Sequence, residues 1–137
     1  MALSAVHPGY APVTLRVPFS PMSVSTVRRR LRDWMVDRGA TLDSIEDARL
    51  IVSELLGNSV RHARPLPDGA VTVTWLETPR GLQISVSDGG AVTRPRTVRA
   101  TSSALSGRGM TIVESLAASW WAERSDTRST VYALVAS

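Results

Sequence analysis

The stretch DSIEDARLIVSELLGNSVRHA, residues 43–63, decides the fold because it carries the sharpest periodic pattern in the chain. Its core-facing positions recur at spacings of three and four and fall on one broad arc. They are Ile45, Ala48, Ile51, Val52, Leu55, Leu56 and Ser59. Asp43 followed by Glu46 resembles a capping box, and Pro65 ends the pattern. The stretch therefore predicts a long amphipathic helix from about Asp43 to Ala63.

Two polar residues lie just beside that arc. Glu54 and Asn58 are four positions apart, so their side chains are neighbours at the rim of the core. A carboxamide oxygen is a suitable neutral ligand for Mg²⁺, and a carboxylate can orient or deprotonate an attacking hydroxyl. An ordinary exposed helix face with an i, i+4 hydrogen bond has the same spacing. By itself, the pair leaves both interpretations open.

Patterns on both sides of this helix predict the remaining elements. They are an edge strand at 13–19 with Pro18 near its end, a helix from an N-cap at Ser23 or Ser25 to Gly39, a hairpin of 71–75 and 82–86, a helix at 110–118, and strands at 119–123 and 130–135. This order favours an α+β fold: a two-layer α/β sandwich, with a mostly antiparallel mixed sheet and helices on one face. Residues 1–12 are predicted to be a flexible tail and residues 13–137 a single domain.

Two glycine motifs punctuate the second half of the chain. Asp88-Gly89-Gly90 directly follows a strand, and Gly107-Arg-Gly109-Met110 directly precedes a helix, where free N–H groups can hold phosphate. The weakly patterned residues 89–108 are typical of a functional loop or lid. Alone, the first motif is equally a hairpin turn. The second lacks the preceding strand and the third glycine of a dinucleotide fingerprint.

Composition excludes several classes of site. The chain has 137 residues, of which 43% are hydrophobic and 20% charged, so one domain can fold without a metal or disulfide staple. The absence of cysteine excludes disulfides, cysteine zinc sites, iron–sulfur clusters and cysteine nucleophiles. All 16 basic residues are arginine, which excludes a lysine Schiff base and a P-loop lysine. The opening MALSAVHPGYAP is not a signal peptide and no segment is long enough to span a membrane, so we predict a cytoplasmic protein.

A net charge of +4 raises the question of nucleic-acid binding. Only Arg28, Arg29, Arg30 and Arg32 cluster, and at about 100° per residue they spread around the predicted helix instead of forming one stripe. This favours a solvated helix face over a partner or nucleic-acid surface. Direct nucleic-acid binding is therefore not predicted.

The order of the three motifs resembles the GHKL (Bergerat-fold) ATP-binding family. The residues from Glu54 to Ala63 look like its N box, Asp88-Gly-Gly90 like its G1 box, and Gly107-Arg-Gly109-Met110 like its G2 box. The likeness covers roughly residues 13–135. It is closest to the small anti-sigma factor serine kinases of the RsbW and SpoIIAB type.

The resemblance implies a role for each matching residue near the base and the metal. Asp88 would accept a hydrogen bond from the adenine amino group, and Gly90 would let the base approach. Asn58 would hold the Mg²⁺ that bridges the phosphates. Glu54 would act as general base or align the nucleophile. Thr130 is similar to a family threonine that shares a water with the adenine-binding aspartate.

The resemblance also implies a lid, with one departure from the family pattern. Gly107 and Gly109 would close it over the phosphates, and Met110 would open the helix that presents its N-terminus to them. Val92 stands where the family has the second glycine of Asp-x-Gly-x-Gly, which leaves the geometry of the first hinge open. His62, at the end of the second helix, is expected to pack or cap.

The function implied by the resemblance is that of an ATP- and Mg²⁺-dependent serine/threonine protein kinase. It would act on a serine of an anti-anti-sigma (STAS-like) protein and sequester a sigma factor, while a homodimer stays open. A histidine-kinase catalytic domain is disfavoured because the chain has no room for a dimerisation helix pair. The alternatives are a non-catalytic, nucleotide-dependent protein-binding module and a basic nucleic-acid-binding domain.

Overall fold

The computed structural model describes residues 11–90 and 110–136. In chain order the elements are β1 (Val13–Pro18), α1 (Met22–Asp37), α2 (Leu42–His62), β2 (Ala70–Thr78), β3 (Gly81–Asp88), α3 (Thr111–Leu116), β4 (Ser119–Arg124) and β5 (Ser129–Val135). Most of the predicted tail and the predicted lid lie outside these ranges. The division into a tail and one domain stays a prediction.

The five strands form one sheet in the order β1-β2-β3-β5-β4. Each pairing between these strands is antiparallel, and β1, which contains Pro18, lies at an edge as predicted. Pairing of β3 with β5 sets Asp88 opposite Ser129 and Ser87 opposite Thr130. Opposed residues share a face and successive residues alternate, so Asp88 and Thr130 lie on opposite faces of the sheet.

The helices form the second layer. Helix α2 contacts β3, β5, α1 and α3, while α1 also contacts β1. The apolar arc of α2 is buried as the sequence predicted, and it joins the inner side chains of the sheet in one core. The fully buried members include Leu31, Ile51, Leu56, Val73, Trp75, Ile84, Val86 and Val113. The predicted α+β sandwich is confirmed.

Helix ends differ from the predictions. Helix α1 begins at Met22 after Pro21, with no side-chain cap, so the predicted caps at Ser23 and Ser25 are wrong. The Ser23 hydroxyl lies inside the first turn and donates to the Pro18 carbonyl at 2.6 Å. This bond ties α1 to the end of β1.

The start of α2 and the end of α3 also differ. Thr41, not Asp43, caps α2, because its extended backbone turns the hydroxyl toward the Ser44 N–H at 3.1 Å. Helix α3 ends at Leu116, since the Ala118 N–H donates to Leu134 of β5 at 2.7 Å and enters the sheet. Within the described residues, no helix combines the length and hydropathy that a membrane span requires.

Candidate functional site

Asp88, the last residue of β3, is a carboxylate held inside the protein, with 5% of its surface exposed. The Ser59 hydroxyl donates to its Oδ2, and the Gly90 N–H donates to its Oδ1 at 2.9 Å. Burial raises the pKa of Asp88, while the two hydrogen bonds and the charge of Arg124 oppose that rise. When ionised, this side chain is an acceptor only, and each oxygen keeps capacity for a further donor.

A pocket opens beside this carboxylate, between α2, the ends of β3, β4 and β5, and the residue before α3. Its lining combines six polar residues with four apolar ones: Leu55, Asn58, Ser59, His62, Ala63, Asp88, Met110, Arg124, Ser129 and Val131. Polar groups that converge on a concave pocket can fix the orientation of a small ligand. The structure thus brings together Asn58, Asp88 and Met110 of the predicted site.

Asn58 is a half-buried residue of the pocket lining. Its Oδ1 accepts from Nη2 of Arg61 at 3.1 Å, and its Nδ2 donates toward the sulfur of Met110 at 3.4 Å. The amide oxygen therefore already faces a cationic group at a half-buried position. Mg²⁺ commonly takes only one or two protein ligands, with phosphates and waters completing its shell. The amide oxygen of Asn58 could therefore bind Mg²⁺ in place of the Arg61 guanidinium.

Glu54 lies one helical turn before Asn58 and is half-buried. It does not line the pocket, and within residues 11–90 and 110–136 it makes no hydrogen bond or ion pair. An ordinary helix face would have an i, i+4 hydrogen bond between Glu54 and Asn58. This bond is not formed, because Asn58 bonds Arg61 and Met110 instead. The role of Glu54 as a base stays a prediction.

Thr130 is a predicted site residue that the structure places away from Asp88. Its hydroxyl pairs with that of Ser87 at 2.8 Å on the sheet face away from the helices. Ser129 takes the place facing Asp88, where it is buried and lines the pocket. Two adjacent hydroxyl residues thus point to opposite faces of β5, and only the strand register shows that Ser129, not Thr130, is the one beside Asp88.

Gly89 and Gly90, in the turn after Asp88, are each required for a different structural reason. Gly90 adopts φ +99°, a left-handed conformation that favours glycine. Gly89 lies against the carbonyl of Pro65, where a Cβ would collide with backbone. The Gly89 N–H donates to the Arg64 carbonyl at 2.7 Å, and the Arg64 N–H donates to Gly90 at 2.9 Å. The turn after Asp88 is thus tied to the chain that leaves α2.

Sequence reasoning missed Ser59, Ser129 and Arg124 as pocket residues. Ser59 had one signal, a hydroxyl on the otherwise apolar arc of α2. His62, expected to pack or cap, is exposed and lines the pocket at the end of α2. Gly107 and Gly109 of the predicted lid, together with Val92, lie outside the described residues.

Known proteins resemble this chain in sequence. The family described as "Histidine kinase-like ATPase domain" matches residues 17–134. A serine-protein kinase RsbW of Listeria monocytogenes serotype 4a is 38% identical over 79 residues, which are 57% of this chain and 50% of that protein. A serine-protein kinase RsbW of Staphylococcus aureus strain JH9 is 45% identical over 51 residues, 37% of this chain and 32% of that protein.

A solved structure shows the same fold. It contains the RsbU and RsbW domains of a Mycobacterium tuberculosis protein, and it matches with a TM-score of 0.71 at 19% identity. The match covers 92% of this chain and 32% of that one. The matched region spans half or less of the length of the curated relatives above.

Proposed function

The chain belongs to the histidine kinase-like ATPase domain family, and on this premise we propose that it binds ATP in the Asp88 pocket and transfers the γ-phosphate to a serine of a protein partner. One observation carries the proposal: a buried carboxylate, oriented by Ser59 and Gly90, ends the strand that borders the pocket. A buried carboxylate costs free energy unless donors hydrogen-bond to it, and each oxygen of Asp88 still has capacity for one more donor. A ligand with an amino group would use it.

Adenine has the donor that Asp88 needs. Its amino group would donate to the carboxylate, whereas guanine would bring a carbonyl oxygen against an acceptor. An unpaired buried polar group costs about 1–3 kcal/mol, which favours ATP over GTP by about 5- to 150-fold. We propose that Ser129, not Thr130, is the hydroxyl residue that contributes to the adenine site, because Ser129 lies opposite Asp88 in the pairing of β3 with β5.

In this proposal, the phosphates of ATP lie near Asn58. When bound there, Mg²⁺ would neutralise phosphate charge. Asn58 would offer its amide oxygen to the metal after releasing Arg61, whose side chain is free to swing because it lies on the exposed side of α2. Gly107 and Gly109 are proposed to cover the phosphates, ahead of Met110.

Phosphoryl transfer needs a hydroxyl nucleophile and an acceptor for its proton. In the proposed step, the serine oxygen of the partner bonds to the γ-phosphorus as the bond to ADP breaks. The serine proton passes to the Glu54 carboxylate. Glu54 suits this task because, among the described residues, no ion pair or hydrogen bond occupies it. Its position outside the pocket leaves room for a partner's side chain.

The partners are proposed from the relatives, which are named serine-protein kinases. We propose an anti-anti-sigma (STAS-like) protein as acceptor and a sigma factor as the second partner, both in the cytoplasm. A homodimer is compatible with either. These proposals concern the whole protein and go beyond the matched half of the relatives.

Two variants on α2 test the division of labour. Asn58→Ala should weaken Mg²⁺-dependent ATP binding, since a metal ligand acts in the ground state. Glu54→Ala should leave affinity nearly intact and lower the transfer rate by about a hundredfold or more, as loss of a general base does. Calorimetry measures nucleotide binding. Transfer is measured as label that passes from radiolabelled ATP to partner proteins captured by their binding to this chain.

An unchanged transfer rate in Glu54→Ala contradicts the role of Glu54 as base. Nucleotide binding without any labelled protein would instead favour the non-catalytic binding module.

A further inference from the structure

Ser59 is a buried helical serine whose hydroxyl leaves its own helix. Serines inside helices commonly bond the carbonyl four residues earlier. Ser53, on the same helix, does so with Arg49 at 2.7 Å. Ser59, with 6% of its surface exposed, instead donates to Oδ2 of Asp88 on the neighbouring strand. The hydroxyl therefore links α2 to β3 at the pocket and does not bond a carbonyl of its own helix.

The direction of this bond fixes what the pocket offers to a ligand. A hydroxyl has one proton and two lone pairs. Because Ser59 gives its proton to Asp88, only its lone pairs remain for a ligand. The Gly90 N–H is committed to the other carboxylate oxygen. The Ser59–Asp88 pair thus presents acceptors and no donor at this end of the pocket.

We propose that Ser59 is a positioning residue that sets the purine selectivity of the site by keeping Asp88 an ionised, oriented acceptor. A 6-amino purine matches this arrangement, and a 6-oxo purine meets lone pair against lone pair. The inference rests on the proposed function, since it assigns selectivity to the same nucleotide pocket. It concerns a residue of this chain that lies one position after Asn58.

The surroundings of Asp88 define what happens without Ser59. The other groups that border the pocket are His62 of α2, Arg124 of β4, Ser129 of β5 and Met110 before α3. Burial already raises the pKa of Asp88, and the Ser59 bond opposes this. Without that bond the carboxyl would protonate at higher pH. A protonated carboxyl has an O–H donor, which can bond the carbonyl oxygen of guanine.

The test compares Ser59→Ala with Ser87→Ala. Ser87 is a buried serine next to Asp88, and its hydroxyl bond to Thr130 lies on the opposite sheet face. We expect Ser59→Ala to weaken ATP binding about fivefold and to lower the ratio of ATP to GTP affinity, more at pH 6 than at pH 8. Ser87→Ala should leave both unchanged. Calorimetry with each nucleotide at both pH values measures the ratio.

A second readout needs no nucleotide. Carbon-13 NMR of the free protein should show a higher pKa for the Asp88 carboxyl in Ser59→Ala and an unchanged one in Ser87→Ala. If Ser59→Ala does not fold, Ser59→Cys has nearly the same volume with a weaker donor, and it should shift both readouts in the same direction. Ser59→Thr keeps the hydroxyl, so its nucleotide ratio and its Asp88 pKa should match those of the wild-type chain.

The outcomes separate the two proposals. A folded Ser59→Ala with the wild-type nucleotide ratio and the wild-type Asp88 titration overturns the positioning role, and ATP binding stands. A wild-type chain that binds neither nucleotide overturns the proposed function, and the selectivity falls with it. A raised Asp88 pKa with an unchanged ratio also overturns the proposal, because selectivity would then arise elsewhere in the pocket.

Discussion

Asp88 is a charge that the fold keeps out of water at an energetic cost. Its burial raises the pKa, and Ser59, the Gly90 N–H and Arg124 only oppose that rise. Since the pKa in the folded state exceeds the ordinary value, the folded state binds this proton more tightly than the unfolded state does. The stability that comes from the proton is present below the ordinary pKa, and it is lost as pH rises through the raised one.

Asp88→Asn should therefore stabilise the chain at neutral pH while it removes ATP selectivity. The amide can accept from Gly90 and donate to Ser59, so both bonds persist without a buried charge. We expect the free energy of unfolding at pH 7 to rise by about 0.5–2 kcal/mol, and the gain to vanish below about pH 4, where the wild-type carboxyl is neutral as well. Urea unfolding at both pH values measures this.

A matched control for Asp88→Asn is Thr130→Ala, which removes a hydroxyl from the outer face of the sheet. It should leave the ATP preference intact, because Thr130 does not reach the pocket. Loss of the preference in Thr130→Ala would contradict the strand register on which this assignment rests. A destabilised Asp88→Asn at pH 7 would mean that the charge contributes net stability.

Helices and strands were predicted well where a periodic pattern ran over many residues. The arc of α2 and the alternation of β2 and β3 set type and approximate bounds, because burial on one face requires that period. Ends were predicted less well. Thr41 caps α2 although Asp43 and Glu46 have the spacing of a capping box, since the cap depends on the backbone angles with which the chain enters the helix.

The link between α2 and β3 gives Gly89 a role that its motif did not reveal. A Cβ at Gly89 would meet the Pro65 carbonyl, and this contact is between backbone atoms that cannot swing aside. Gly89→Ala should lower the free energy of unfolding by about 1–3 kcal/mol. It should also weaken ATP binding, because Asp88 is its neighbour. Chemical denaturation and calorimetry measure the two effects.

Gly57→Ala is the matching control for Gly89→Ala. A Cβ at Gly57 would come within 3.0 Å of the Arg61 guanidinium, which is the far end of a flexible side chain and can move. Alanine also favours the helix by about 0.5–1 kcal/mol. Gly57→Ala should thus be neutral or stabilising. If Gly89→Ala were equally well tolerated, the Arg64–Gly89 link would not be rigid.

The assembled site depends on contacts that no local pattern contains. Ser59 meets Asp88 across 29 positions, and Asn58 meets Met110 across 52. The three motifs pointed to Asn58, Asp88 and Met110, which the structure brings together at one pocket. The sequence could not separate Ser129 from Thr130, since that choice depends on how β5 pairs with β3. It could not show Arg61 on Asn58, because several arginines were equally available.

Because the pocket joins α2 to β3, β4, β5 and the start of α3, a bound nucleotide should stabilise the molecule as a whole. The unfolded chain has no such pocket, so ATP at 100 times its Kd should add about 2.7 kcal/mol to the free energy of unfolding. For a domain of this length that is a rise in Tm of roughly 10 °C. Thermal unfolding with ATP and with GTP measures it, and GTP at the same concentration should give a smaller rise. Asp88→Asn should lose the difference between the two nucleotides, because its side chain no longer offers an acceptor pair. An equal rise with both nucleotides in the wild-type chain would place their binding outside the Asp88 pocket.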